Sequence, residues 1–300
     1  SSVTRLPPND IRFSCTAVGR SANKTVGTAK PVTVTGFTLA GNDSGNYNVV
    51  QPTGLSANVT QATLTLSTGN VTKAYDGTTS AAGAPVVTGG TLFTGDSLSG
   101  GSFAFANKNA SAGDKVVSVS GVTVSDGNSG ANYSVSYASN TTSTITPAPL
   151  TISTNSVTKT YDGNTGAPGT AIVNTGTLYS GDSLSGGTFT YNDKNVGAGN
   201  KTVTVAAVTV NDGNGGNNYT VGYASNAAST ISPANINLSG TQVYNGGTAF
   251  ASSNLAANGV HGESFALTGS ATLASKNVQT AQPLASVAGL TLGAGSGGGV

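Results

Sequence analysis

Apolar and polar residues alternate in short stretches along this chain, with the period of strands rather than helices. In "TLTLSTGNVTK" (63–73), Leu64 and Leu66 stand among Thr and Ser, which predicts a half-buried strand closed by a turn at Gly69-Asn70. "SFAFAN" (102–107) alternates aromatic and small residues. "KVVSVSGVTVS" (115–125) predicts two strands, or one strand bent at Gly121. "NYSVSYAS" (132–139) alternates Tyr133, Val135 and Tyr137. "TSTITPAPLTIST" (142–154) predicts strands joined by almost no linker and stiffened by Pro147 and Pro149. No ten-residue stretch shows an amphipathic helix; "TTSAAGAP" (78–85) allows one helical turn before Gly83 and Pro85 stop it.

The pattern repeats. "VTKAYDGTT" (72–80) returns as "VTKTYDGNT" (158–166), and "GDSLSGG" stands at both 95–101 and 181–187, an offset of 86 residues each time. "ANKNASAGDK" (106–115) and "GANYSVSYASNTTSTITPA" (130–148) recur at the same offset without an insertion. This period is too long for a solenoid coil of about 20–50 residues and suits a small domain. The expected organisation is full repeats at 63–148 and 149–234, a partial repeat at 22–62, and a diverged or truncated repeat at 235–300 with a Gly-rich end. Residues 1–21 do not match the repeat; they hold Arg5, Arg12, Arg20 and the lone Cys15, and read as a fragment edge. The ending "GAGSGGGV" shows no packing pattern. The fold class expected is all-β, a tandem array of small modules arranged as beads on a string.

Composition narrows the function. Charged residues are only 8%, the net charge is +1, and there are 43 glycines. Nucleic acid and anionic membranes need concentrated Lys and Arg, so neither is an expected partner. No apolar run is long enough for a membrane-spanning helix. One cysteine permits no intrachain disulfide. Without an initiator Met or a signal segment, the chain is expected to be an excerpt of a longer protein.

The ordered blocks "VTKTYDGNT", "GDSLSGG", "KNVGAGNKTVTV", "GNNYTV" and "ISPA" resemble the YDG repeat domain, related to the mostly-β, β-grasp-like MBG modules. The residues carrying the resemblance are Tyr75-Asp76-Gly77 and Tyr161-Asp162-Gly163, with Tyr244 and Gly246 in the last copy. Gly95-Asp96 with Leu98, and Gly181-Asp182 with Leu184, form the second block. Lys108-Asn109 and Lys194-Asn195 form the third, and Tyr133 and Tyr219 open the fourth. The last copy departs from the pattern, with Asn245 and Glu263 in place of the aspartates. The resemblance implies modules that are β-grasp-like or sandwich-like, in a large filamentous-haemagglutinin-like adhesin exported by two-partner secretion. It implies a non-enzymatic stalk at the bacterial cell surface that projects a binding region. Its partners would be neighbouring repeats, with a host or matrix glycan or protein met through other parts of the parent. The alternative is that the repeats themselves bind glycan or protein in adhesion or biofilm.

"GDSLSGG" imitates the nucleophile block of an esterase, which needs a histidine beside its serine. The single histidine, His261, aligns with Thr94 and Ser180, so neither GDSL-bearing repeat has its own, and no catalytic residue is expected. A turn with Asp96 and Ser97 bonding local backbone and Leu98 packed inward fits the repetition better. The loops "SDGNSGANY" and "NDGNGGNNY" offer Asp126 and Asp212 as weak calcium ligands, but one carboxylate per loop suits an Asx-turn better. Lys108, Lys194, Asn109 and Asn195 raise an isopeptide bond, for which no neighbouring carboxylate is in evidence; solvated turn lysines are the plainer reading. Tyr133, Tyr137, Tyr219 and Tyr223 could stack on sugars if exposed, whereas their alternation favours packing. No cofactor is expected.

Overall fold

A computed structural model describes residues 10–296. Arg5, the rest of 1–9 and the last four residues of the Gly-rich end lie outside the described residues. The chain divides into two compact units, Ser1–Lys73 with Thr78–Ile145, and Ala74–Gly77 with Thr146–Val300.

The first unit holds β1 (Arg12–Ser21), β2 (Gly27–Ala40), β3 (Ser56–Val59), β4 (Ala62–Thr68), β5 (Thr72–Ala74), β6 (Pro85–Gly90), β7 (Ser97–Phe105), β8 (Ser111–Ser125), β9 (Tyr133–Tyr137) and β10 (Asn140–Thr146), the last residues of β5 and β10 falling at the division. They form sheets ordered β1-β2-β3, β6-β4-β9 and β5-β10-β8-β7. In the second unit β11 (Ala148–Thr154), β12 (Thr158–Thr160), β13 (Ala171–Gly176), β14 (Ser183–Tyr191), β15 (Gly197–Asn211), β16 (Tyr219–Tyr223) and β17 (Asn226–Ser232) repeat the last two sheets, as β13-β11-β16 and β12-β17-β15-β14. Strands β18 (Asn237–Gly240), β19 (Ala249–Ala251), β20 (Leu255–Asn258), β21 (Ser264–Leu273), β22 (Leu284–Ser286) and β23 (Leu290–Ser296) form one further sheet around β21.

Each full repeat is thus two sheets, with an unusual pairing. The β11–β16 and β12–β17 ladders are parallel, while β14–β15 and β15–β17 are antiparallel. Among the described residues there is no α-helix, only single 3-10 turns at Ser44–Asn46 and Ser252–Asn254. The fold is all-β, and its two-sheet modules take the sandwich-like form. The "TTSAAGAP" stretch forms no helical turn; Ser80 bridges to Ala104 instead.

The long strand β8 serves two cores. Lys115, Val117 and Val119 are buried on one side of Gly121, and Val124 on the other, so the inward parity switches from odd to even. Gly100, Gly101 and Gly121 all take left-handed φ, and β7 and β8 keep register across the kink, from Gly100↔Val122 to Ser102↔Ser120. Beyond the kink Val124 packs with Leu64, Leu66, Tyr133 and Leu98. In the next repeat the second core gathers Tyr191, Val203 and Ile231, with Val157, Tyr161 and Phe189 against them. Burial of Leu64, Leu66, Ile145, Val117 and their equivalents is complete or nearly so, each contributing about 1.5–3 kcal/mol.

Three expectations change. Arg12–Ser21 is not outside the repeat: it pairs antiparallel with β2, as β7 pairs with β8, so its backbone takes the place of β7 while its sequence has diverged. Residues 290–296 form β23 on β21, so half of the Gly-rich ending does pack, through a backbone ladder that needs no side-chain pattern. Tyr133 and Tyr219 are buried, but Tyr137 and Tyr223 are 42% and 43% exposed. Their hydroxyls accept the backbone N–H of Val122 and Val208, beside the kink, at 3.0 Å each. The junction matches expectation: Pro147 alone separates β10 from β11.

Candidate functional site

The two GDSL blocks are turns that enter a strand. Gly95 and Gly181 take φ of +94° and +91°, and the N–H of Asp96 and Asp182 closes each turn on the carbonyl of Phe93 and Tyr179 at 3.0 Å. Leu98 then packs on the core, and the paired glycines at the block's end form the kink. Ser97 and Ser183 are exposed; Ser183 Oγ accepts a long hydrogen bond from Asn211 Nδ2 at 3.4 Å. Among the described residues no hydrogen bond joins His261 to either serine.

The Asp96 side chain does not bond local backbone as the turn reading supposed. Its carboxylate accepts the Tyr133 hydroxyl at 2.6 Å and lies 3.4 Å from Lys24 Nζ of the preceding copy. In the next repeat Asp182 Oδ2 accepts the Tyr219 hydroxyl at 2.7 Å and the Tyr75 hydroxyl at 2.8 Å. Glu263, buried at the same position of the last copy, accepts the Tyr161 hydroxyl at 2.5 Å. The Tyr-Asp-Gly tyrosine of one copy therefore bonds the acid of the next copy's turn, twice over.

Packing supports this joint. Tyr75 lies edge-on to Tyr179 and Tyr219, with centroids 5.5 and 5.3 Å away, and is fully buried. Gly163 shows why glycine follows Tyr-Asp: its φ is +78°, and a Cβ there would stand 2.7 Å from His261 Cδ2 of the next copy's turn. At Gly77, whose φ is +75°, an added Cβ would likewise stand 3.1 Å from Tyr179 Cβ. Asp162 holds the turn itself, accepting Lys159 Nζ at 2.7 Å and the Asn164 N–H at 3.1 Å, and these contacts keep its carboxyl below the usual range. Tyr219 titrates well above the ordinary phenol range because of burial and then its bond to Asp182. Tyr133 is raised by burial and then Asp96, and Tyr161 by its bond to Glu263 and then burial.

Asp126 and Asp212 are buried, and their carboxylates are occupied by their own loops. Asp212 accepts the N–H of Asn214, Gly216 and Asn218 at 2.7, 2.8 and 2.9 Å. Asp126 does the same with Asn128, Gly130 and Asn132. Burial alone would raise both groups, but the ring of amides outweighs it and lowers them. A carboxylate ringed by N–H donors is a poor cation ligand. Among the described residues no group of three or more His, Cys, Asp or Glu could hold a metal ion.

The Lys-Asn block carries a feature the sequence reading missed. The Asn109 and Asn195 N–H groups close small turns on Asn107 Oδ1 and Asp193 Oδ1 at 3.1 and 2.8 Å. The buried lysines are instead Lys115 and Lys201, each 6% exposed, at the end of the same block. They reach back to Asn107 and Asp193, and Lys30 reaches Asn23 equivalently. The signal was present: a lysine eight residues after the Asn or Asp of the block in both full repeats.

No helix among the described residues is long and apolar enough to cross a membrane, which says nothing of β-barrels. Neither a curated protein nor a solved structure matches the chain. The YDG domain matches it three times, over residues 2–54, 60–142 and 146–228, so the first match takes in the diverged β1. With its Tyr-Asp-Gly turns, acid turns and two-sheet modules in tandem, the chain belongs to the YDG domain family.

Proposed function

We propose that the chain is a non-enzymatic spacer within a large secreted bacterial surface adhesin, in which YDG modules in series hold a binding region away from the cell. The observation that supports it is the bond from Tyr161 to Glu263, repeated between Tyr75 and Asp182. The Tyr-Asp-Gly and acid-turn motifs that recur along the chain join successive copies, with Pro147 as the only residue between β10 and β11. The direct partners in this reading are neighbouring repeats of the same chain. Host or matrix glycans and proteins are met by other parts of the parent, at the cell exterior, with no cofactor and no catalysis.

Single-molecule extension of the full chain tests the proposal. Repeats should unfold in discrete steps, and a glycan array probed with the same chain should stay silent. Saturable glycan binding would overturn the spacer in favour of a binding module. Hydrolysis of a p-nitrophenyl ester that disappears in a Ser97→Ala, Ser183→Ala chain would overturn the non-enzymatic part.

A further inference from the structure

The kink in the long strand leaves a backbone edge with no strand beside it, and in three copies a side chain fills the gap. Strand β10 pairs with β8 only as far as Val117, while β7 continues along it to Ser125. In the next repeat β17 stops at Val203 and β14 continues to Asn211. In the first copy β3 stops at Pro31 and β1 continues to Ala40. Across the gap, β9 and β16 pair among the described residues only with β4 and β11. Between the two edges runs a seam of about 630 Å³ in one full repeat and about 570 Å³ in the other. Val122, Val124 and Val135 border the first, and Val208, Val210 and Val221 the second.

One position spans the seam each time, four residues after Tyr47, Tyr133 or Tyr219. The Tyr137 hydroxyl accepts the N–H of Val122, the residue after the left-handed Gly121, at 3.0 Å. The Tyr223 hydroxyl accepts the N–H of Val208 at 3.0 Å and donates to its carbonyl at 3.5 Å. In the first copy the residue is Gln51. Its Oε1 accepts the Phe37 N–H at 3.3 Å and its Nε2 donates to Phe37 O at 2.9 Å, with Gly36 before it at φ of +97°. Gln51 thus offers Phe37 the acceptor and donor that a paired strand would offer. A carboxamide and a phenol differ in shape and polarity, so their common bond identifies the kink amide as the group they serve. A whole side chain is needed to cross, so the edges stand further apart than the roughly 4.8 Å of bonded neighbours. Gln61 adds a second clasp in the first full repeat, donating to Ala131 O at 3.1 Å and Tyr133 O at 3.2 Å. Pro147 holds that position in the next repeat and has no amide to give.

Protein edges of this kind are commonly blunted by charges or prolines. Neither "YSVSY" (133–137), "YTVGY" (219–223), Val122–Ser125 nor Val208–Asn211 contains one. We propose that the residue at 51, 137 and 223 is an edge guard, which holds the kink amide and stops the seam from accepting a strand of a second copy of this chain. A second copy is the occupant to be kept out because the edges are uncharged and β9 and β16 differ at only two of five positions. Every further copy of the chain therefore brings strands already matched to the seam, the condition under which tandem repeats mispair.

The test is sedimentation velocity of the full chain over a concentration series, comparing the parent with a Tyr137→Phe, Tyr223→Phe chain. Phenylalanine keeps the ring and removes the acceptor. The dissociation constant for self-association should fall by about tenfold, the worth of roughly one hydrogen bond, while circular dichroism shows the strands intact. A Tyr137→Gln, Tyr223→Gln chain, carrying the first copy's residue at both positions, should keep the parent's constant. Tyr223→Phe alone should promote association more than Tyr137→Phe alone, because only the first seam has the Gln61 clasp. A Phe chain that melts earlier but sediments like the parent has lost packing alone, and overturns the proposal. So does a Gln chain that associates as strongly as the Phe chain.

Discussion

Tyr75 and Tyr219, far apart in the chain, donate to the same oxygen of Asp182, at 2.8 and 2.7 Å. One comes from a Tyr-Asp-Gly turn and the other from the strand under the acid. Replacing Asp182 with Ala leaves two phenols without their acceptor, at a cost of about 2–4 kcal/mol. Asp182→Asn keeps an acceptor and should cost less. Urea unfolding of the two variants checks the order.

The phenols also set an alkaline limit. Tyr133, Tyr161, Tyr191 and Tyr219 all titrate above their ordinary value, so the folded state favours their neutral form. That stability is complete below the unfolded phenol pKa of about 10 and is lost as pH rises through the folded values. Thermal midpoints should fall above about pH 10, and less steeply for Tyr219→Phe.

On the acid side the sign reverses. Asp126, Asp162, Asp193 and Asp212 are lowered, so their contribution is present above the unfolded carboxylate pKa of about 4 and lost as pH falls below it. Asp212→Asn should lower stability at neutral pH and flatten the acid limb of the same midpoint curve.

Gly163 and His261 make a second test of the joint. Gly163→Ala meets both the left-handed φ and the imidazole, so it should destabilise by more than the roughly 1 kcal/mol of the backbone term alone. His261→Ala should recover the steric part but not the conformational part. A double-mutant cycle on thermal unfolding separates them.

At the kink the second repeat is the less suited of the two. Ala207 holds φ of +54° where the first repeat has Gly121. Ala207→Gly should stabilise by about 0.5–1 kcal/mol, and Gly121→Ala should cost a similar amount. Equal and opposite shifts in melting temperature are the expected outcome.

Strand positions and the repeat were legible in the sequence because alternation and recurrence are local or exact signals. Leu64, Leu66 and the break at Gly121 could be placed on that basis alone. What could not be read was which strand a side chain would meet. Tyr133 and Tyr137 share one parity, yet one end of the strand enters the core and the other lies at the kink. The role of Asp96 and Asp182 was hidden for the same reason: their partners sit in other strands and other copies. Residues 12–21 were missed because a hairpin ladder tolerates nearly any sequence at an exposed face, so a strand can persist after its block has lost its letters.

The kinked strand has a thermodynamic consequence. Val117 and Val124 lie on one continuous β8, as Val203 and Val210 lie on β15, and each pair belongs to two different cores. Neither core can open without withdrawing the strand from the other. Hydrogen-exchange protection should therefore be uniform on both sides of Gly121 and Ala207, and a YDG module should melt as one foldon rather than two.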